Sequence, residues 1–175
     1  MSKRNKFEIL AVIPARGGSK TIPRKNIKPI LGKPLIVYTF QESRKSRHIN
    51  RIILSTDDEE IAILGKKLGV EVPFLRPSEL AEDHITDLPV FQHCLNWLKE
   101  NDNYKPDIVV HLRPTAPLRK VYHINKGIEL LLNSPEADSV RSVTAVGQHP
   151  LKMWKIENSR LIPFLSAKTS GIKES

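Results

Sequence analysis

The chain has 175 residues, 39% hydrophobic and 27% charged, a single-domain length with enough apolar side chains for a sizeable core. No apolar run approaches the ~20 residues a membrane helix needs, so no membrane partner is expected, and the lone Cys94 excludes an internal disulfide and points to a reducing cytoplasm. The net charge of +9 is uneven: residues 1–57 carry 13 Lys and Arg against 3 acids, residues 58–118 carry 6 against 11, and residues 119–175 carry 9 against 5. Aromatics make up only 6%, without the interleaving of a nucleic-acid surface, so the basic first third is expected to serve a small anion such as a triphosphate.

The basic start, Met-Ser-Lys-Arg-Asn-Lys, leads into only a short apolar stretch, Phe7–Ile13, broken by Glu8. This predicts a strand over Glu8–Ile13 rather than a secretory signal. A helix is expected around Leu35–Lys45, then a strand over Arg51–Ser55. Asp57 or Asp58 is placed to cap a helix running to Gly69. Val70–Leu75 reads as a strand, Leu88–Glu100 as a helix, Asp107–Leu112 as a strand and Val121–Asn133 as a helix. Cys94 falls in the apolar spacing of the third helix, where core packing explains it. Ser139–Ala145 reads as a further strand, and Met153–Glu157 with Arg160–Pro163 as a hairpin around Asn158-Ser159. Such alternation predicts a three-layer α/β/α fold with a mainly parallel sheet, whose functional residues gather beyond the carboxyl ends of the strands. Arg16, Asp57, Arg76 and Arg113 all fall at such ends.

The first of these ends is the richest. After Pro14 the chain packs Gly17 and Gly18 among Arg16, Lys20, Arg24 and Lys25. Adjacent glycines let successive N–H groups approach a bound group, and the cations add charge suited to a polyphosphate. The loop is not a P-loop, because Ser19 separates glycine from lysine and Ile13 stands where the first glycine should be. It is not the dinucleotide fingerprint either, since no third glycine follows. His48, His84, His93, His111, His123 and His149 show no ligand spacing, and no catalytic base is assigned. Asp57 and Asp58 suit a metal or a helix cap equally.

Ile13–Lys20 (IPARGGSK), Ile22-Pro23, Lys25-Asn26 and Gly32–Leu35 (GKPL) are followed by Ser55–Asp58 (STDD), Leu75–Pro77, Leu80–Asp83, Leu112–Arg119 (LRPTAPLR) and His149–Lys152. In order and spacing these blocks resemble the acylneuraminate cytidylyltransferases, the CMP-sialic acid synthetases. The resemblance runs from about residue 8 to about residue 165. It implies a Rossmann-like nucleotidyltransferase fold and a reaction in which a nine-carbon α-keto sugar acid attacks the α-phosphate of CTP and expels pyrophosphate. Mg²⁺ is the implied cofactor. Arg16, Lys20 and Lys25 are then the expected catalytic cations, with the Gly17-Gly18 amides and Ser19 completing the triphosphate loop. Asn26 and Arg76 are implied near cytosine and ribose, Ala15 against the base and Thr86 as a further base contact. Arg113, Thr115, Arg119 and Lys152 are implied to face the sugar acid, whose carboxylate suits cations.

Arg113 stands where these enzymes more usually carry glutamine, which leaves the sugar open between sialic acid and a related nonulosonic acid such as a legionaminic-type sugar. Kdo-activating relatives fit less well, since their loop lacks Arg-Gly-Gly-Ser-Lys. The resemblance also implies further elements after Ser175, with an Asn-Gly segment of the sugar site, a homodimer-forming insertion and the paired aspartates for Mg²⁺; nothing after Thr169 supplies such a pair. The metal ligands are therefore unassigned, and residues 1–175 are expected to be one nucleotidyltransferase domain without that C-terminal portion. Two other readings stand beside the enzyme: a nucleotide-binding module without turnover, and a basic nucleic-acid-binding domain, which would bind with strong salt dependence and little nucleotide selectivity.

Overall fold

Strand β1 (Ile9–Pro14) is apolar on both faces, and Ile9 to Ile13 are all fully buried, as the central strand of a parallel sheet must be. The computed structural model describes residues 7–144 and 153–164. After β1 the chain forms a small antiparallel pair, β2 (Pro29–Ile30) and β3 (Lys33–Pro34), then α1 (Leu35–Arg44), β4 (Arg51–Ser55), α2 (Glu59–Lys67), α3 (Asp87–Asp102), β5 (Ile108–His111) and α4 (Val121–Leu132). β4 and β5 flank β1 and both run parallel to it, with Leu10 opposite Arg51 and Ile9 opposite Ile108.

The alternation of β1 side chains builds two cores. Ile9, Ala11 and Ile13 pack with Ile36, Val37 and Phe40 of α1, Ile61 of α2 and Ile124 and Ile128 of α4. Leu10 and Val12 face the other way and pack with Ile53 of β4 and Cys94 and Leu98 of α3. Helices therefore cover both faces, the three-layer α/β/α arrangement expected. Cys94 is fully buried, and burial pushes its thiol up to about 12, so it is an inert core residue.

α2 shows how local sequence sets an element. The Asp58 side chain accepts the Ile61 N–H at 2.9 Å, Glu59 and Glu60 fill the first turn, and Lys66 and Lys67 fill the last, in the sense the helix dipole favours. Gly69, at φ +70°, turns the chain out of the helix.

Two expected strands differ. Val70–Leu75 forms no strand; it makes one isolated bridge, Glu71 to Ile53, with the Leu54 N–H donating to the Glu71 carbonyl at 2.9 Å. Pro73 lacks the N–H that a continuing ladder would need. Residues 139–144 also carry no strand: the segment is exposed and pairs with no described strand. Ala145 lies outside the described residues.

By its contacts the chain divides into Met1–Val140 and Arg141–Ser175. The second unit holds the expected hairpin, β6 (Trp154–Glu157) against β7 (Arg160–Pro163), turning through Asn158 and Ser159 at φ 50° and 63°. Two consecutive positive φ values match the twist of a two-residue hairpin turn.

Candidate active site

The loop after β1 is held from below. The Ala15 N–H donates to the Ser55 carbonyl at 2.9 Å, and buried Asn26 donates through Nδ2 to the Arg16 carbonyl at 2.9 Å. Asn26 thus braces the loop with its amide nitrogen. The Gly17 N–H donates to Asp57 Oδ1 at 3.1 Å, and a Cβ at Gly17 would collide with the Asp58 carboxylate, so glycine is required here by close approach. Gly18, by contrast, faces open space. Arg24, in the left-handed region at φ 54°, turns back to pair with Asp58 and Glu60. Burial raises the Asp58 pKa, but the Arg24 pair and the Ile61 N–H outweigh it and leave the carboxyl below its usual range.

Two expected cations converge on one carboxylate. Arg16 Nη2 reaches Asp83 at 2.6 Å and its Nη1 donates to the Ala81 carbonyl at 3.2 Å, while Lys20 pairs with the same Asp83 carboxylate. Beside this contact is an open pocket of about 320 Å³, lined by Arg16, Gly18, Ser19, Lys20, Ala81, Glu82 and Asp83. Lys20, and then Arg16, hold Asp83 below the ordinary carboxylate range. Lys25, the third expected catalytic cation, sits half-buried at the start of a short 3-10 turn, Lys25–Ile27, and does not line this cavity.

At the end of β4 the Arg76 N–H donates to the Thr56 carbonyl at 2.7 Å, and its buried guanidinium donates to Asp57 Oδ1 at 3.3 Å. Its Nε has no partner, and burial pushes the group below its ordinary value against the pull of Asp57. Thr86 is the exposed N-cap residue of α3 and makes no side-chain cap bond. Asp87, next in the chain, pairs with Arg113 at the end of β5, and His111 Nδ1 lies 4.0 Å from that carboxylate. Arg119 Nη2 donates to the Arg113 carbonyl at 3.2 Å, and its Nη1 is buried without a partner. Thr115 is exposed between them, and Lys152 lies outside the described residues.

With these loops assembled at one end of a parallel sheet, comparison with known proteins decides the family. The profile described as Cytidylyltransferase matches residues 10–154. The chain belongs to that family. It is 44% identical over 109 residues to a pseudaminic acid cytidylyltransferase of Campylobacter jejuni, covering 62% of this chain and 47% of the relative. It is 37% identical over 144 residues to a CMP-N,N'-diacetyllegionaminic acid synthase of Legionella pneumophila, covering 82% and 61%. An N-acylneuraminate cytidylyltransferase of Escherichia coli is 31% identical over 137 residues, 78% of this chain and 31% of the relative. Among solved structures, a CMP:2-keto-3-deoxy-manno-octonic acid synthetase complexed with CTP superposes with TM-score 0.63 at 20% identity, over 73% of this chain and 48% of that one, which bears on the fold alone. The chain spans about half the length of the first relatives it matches, 47% and 49%.

Asp57, Asp58 and Asp83 of this cytidylyltransferase-family chain do not fit a resident metal. Asp57 faces Arg76 and a backbone N–H, Asp58 faces Arg24, and Asp83 faces Arg16 and Lys20. A divalent cation there would meet guanidinium and ammonium groups, and no cluster of three or more candidate ligands occurs among the described residues. No described helix is long and apolar enough to cross a membrane.

Sequence reasoning singled out the cations and, among their acidic partners, Asp57 and Asp58 as cap or metal candidates, without the pairings. Asp83 and Asp87 carry no periodic or spacing signal. Asp83 does end the Leu80–Asp83 block of the resemblance, and a second hint is the acidic surplus of residues 58–118 set against the basic residues 1–57.

Proposed function

We propose that this chain carries the nucleotide-binding site of a cytidylyltransferase that transfers CMP from CTP to a nine-carbon α-keto sugar acid. The observation that carries the reading is the convergence of Arg16 and Lys20 on one carboxylate beside an open pocket at the carboxyl end of β1. Two cations that already hold an acidic group present the donors a polyphosphate would take. In this reading Arg16, Lys20, Ser19 and the Gly18 amide receive the triphosphate, with Lys25 adding charge at the edge of the loop. Ala15, Asn26, Arg76 and Thr86 form the nucleoside side. Arg113, Thr115 and Arg119 face the sugar acid, and a role for Lys152 rests on the family resemblance alone.

Positioning and charge neutralisation are what such a displacement asks of the protein. The sugar hydroxyl attacks the α-phosphorus, and the cations of the loop stabilise the charge that grows on the departing pyrophosphate. Mg²⁺ accompanies the triphosphate in this reading, although Asp57, Asp58 and Asp83 do not provide its site. A nonulosonic acid as acceptor, sialic or legionaminic in type, a cytoplasmic location and a homodimer of the full-length form rest on the family resemblance. So does a single nucleotidyltransferase domain over residues 1–175.

The test is titration calorimetry of CTP against UTP, ATP and GTP with Mg²⁺ present, on wild type and Arg16→Ala. Binding selective for CTP and weakened at least tenfold by Arg16→Ala is expected, the scale of a lost bond to a charged group. Equal or absent binding of all four nucleotides overturns the reading. The tied-up state of all three carboxylates favours a second reading, binding without turnover. Mg²⁺-dependent pyrophosphate release separates the two.

A further inference from the structure

The two aspartates that close β4 divide their work. Asp58 caps α2 and takes Arg24. Asp57 caps nothing. Its Oδ1 accepts the Gly17 N–H at 3.1 Å and the Arg76 guanidinium at 3.3 Å. One oxygen atom therefore stands between the loop after β1 and a side chain that approaches from residue 76.

Arg76 depends on that oxygen. Its side chain is 2% exposed, its Nε has no partner, and Asp57 is its one carboxylate partner among the described residues. A guanidinium removed from water needs a fixed counter-charge, and here the counter-charge also holds the phosphate loop. The backbone reinforces the arrangement: the Ser55 carbonyl takes the Ala15 N–H, and the Thr56 carbonyl takes the Arg76 N–H. Three consecutive residues, Ser55 to Asp57, thus tie the start of the loop and Arg76 to one strand end.

We propose that Asp57 is a positioning residue that registers the loop of Arg16 and Lys20 against Arg76, so that a single nucleoside triphosphate can meet both. The inference rests on the nucleotide reading given above and adds to it how the two halves of the site keep their spacing. Asp57 itself does not hold the nucleotide. Its charge is spent on Arg76, and its second role is to fix a glycine amide that would otherwise be free to turn. Asparagine at this position keeps an acceptor for the Gly17 N–H but loses the charge that holds Arg76; alanine loses both.

The experiment compares the 175-residue chain with Asp57→Asn and Asp57→Ala, titrating each with CTP and with inorganic pyrophosphate, a probe that meets only the loop. Circular dichroism melts accompany each titration. Registration predicts that CTP affinity falls by about tenfold or more in Asp57→Ala and by less in Asp57→Asn, while pyrophosphate affinity stays within about twofold in Asp57→Asn. Equal loss of both ligands in Asp57→Asn would mean a loop that has simply come loose, and it overturns the proposal. Unchanged or tighter CTP binding overturns it as well. If wild type binds CTP and Asp57→Asn binds it equally, this inference fails alone; if wild type binds no CTP, the nucleotide reading fails with it. Should Asp57→Ala not fold, the Asp57→Asn comparison decides.

Discussion

Asp83 is the residue on which the unliganded site turns. It holds Arg16 and Lys20 together and is exposed enough to leave them. A triphosphate that takes those cations must displace it, so removing its charge removes a competitor. Asp83→Asn is expected to bind inorganic pyrophosphate roughly two- to five-fold more tightly, the scale on which exposed ion pairs act. Weaker binding in a calorimetric titration would show instead that Asp83 helps to hold the ligand. The cations stand out in the sequence because Arg16, Lys20, Arg24 and Lys25 crowd into one glycine-containing loop after β1. Their pairings do not. Arg16 meets Asp83 across 67 positions and Gly17 meets Asp57 across 40, pairings that exist only once the sheet has brought the loops together. Asn26 likewise makes a contact that its residue type does not announce: its Nδ2 serves the Arg16 carbonyl.

Elements were legible where local chemistry and packing agree. β4 spans Arg51–Ser55 as expected, and the hairpin of β6 and β7 turns where Asn158-Ser159 predicts. Where the apolar pattern of Val70–Leu75 suggested a strand, one proline limits the pairing to a bridge, because periodicity reports burial and not donors. Gly65 sets two local effects against each other. Alanine in its place gains about 1 kcal/mol of helix propensity. Its Cβ would, however, lie 2.5 Å from a methyl of buried Leu54 and 3.1 Å from Val72. Overpacking of a core costs about 1–3 kcal/mol, so Gly65→Ala is expected to destabilise on balance, read as a lower urea midpoint. Leu98, fully buried where α3 covers the sheet, gives a larger loss of about 2–5 kcal/mol on Leu98→Ala. α3 and β5 also carry a pH response. Burial, then the charge of Arg76, lowers the pKa of His93; burial lowers that of His111, with Asp87 opposing and Arg113 and Arg119 assisting. A histidine depressed in the fold contributes its full stability above the unfolded value of about 6.5 and loses it as pH falls through the folded value. Thermal melts are therefore expected to shift down as pH is lowered from 7.5 to 5. His93→Phe, which keeps an aromatic ring against Phe74, should flatten part of that slope. A midpoint independent of pH in this range would contradict the assignment.

Across the whole molecule the charge is separated along the sequence, and the fold turns that separation into a field. The basic first third supplies the loop after β1, and the acidic middle supplies Asp58 against Arg24 and Asp83 against Arg16 and Lys20. Paired charges cancel at close range, so the field that reaches an approaching anion comes from the excess, and the net charge is +9. Two consequences follow with opposite salt behaviour. The rate at which CTP arrives depends on that long-range excess in the proposed reading, and it should fall by roughly an order of magnitude between about 0.02 and 0.5 M salt as the screening length drops from about 20 to about 4 Å. In the proposed reading a preference for CTP over UTP depends on contacts at the nucleoside side, among buried groups such as Arg76 that salt screens little, and it should hold across the same range. Stopped-flow association with both nucleotides separates the two terms. A preference that collapses with the rate would mean that the chain gathers anions by charge alone, as a nucleic-acid surface does. A preference that survives while the rate falls places selectivity in the geometry that Ser55, Thr56 and Asp57 hold at the end of β4.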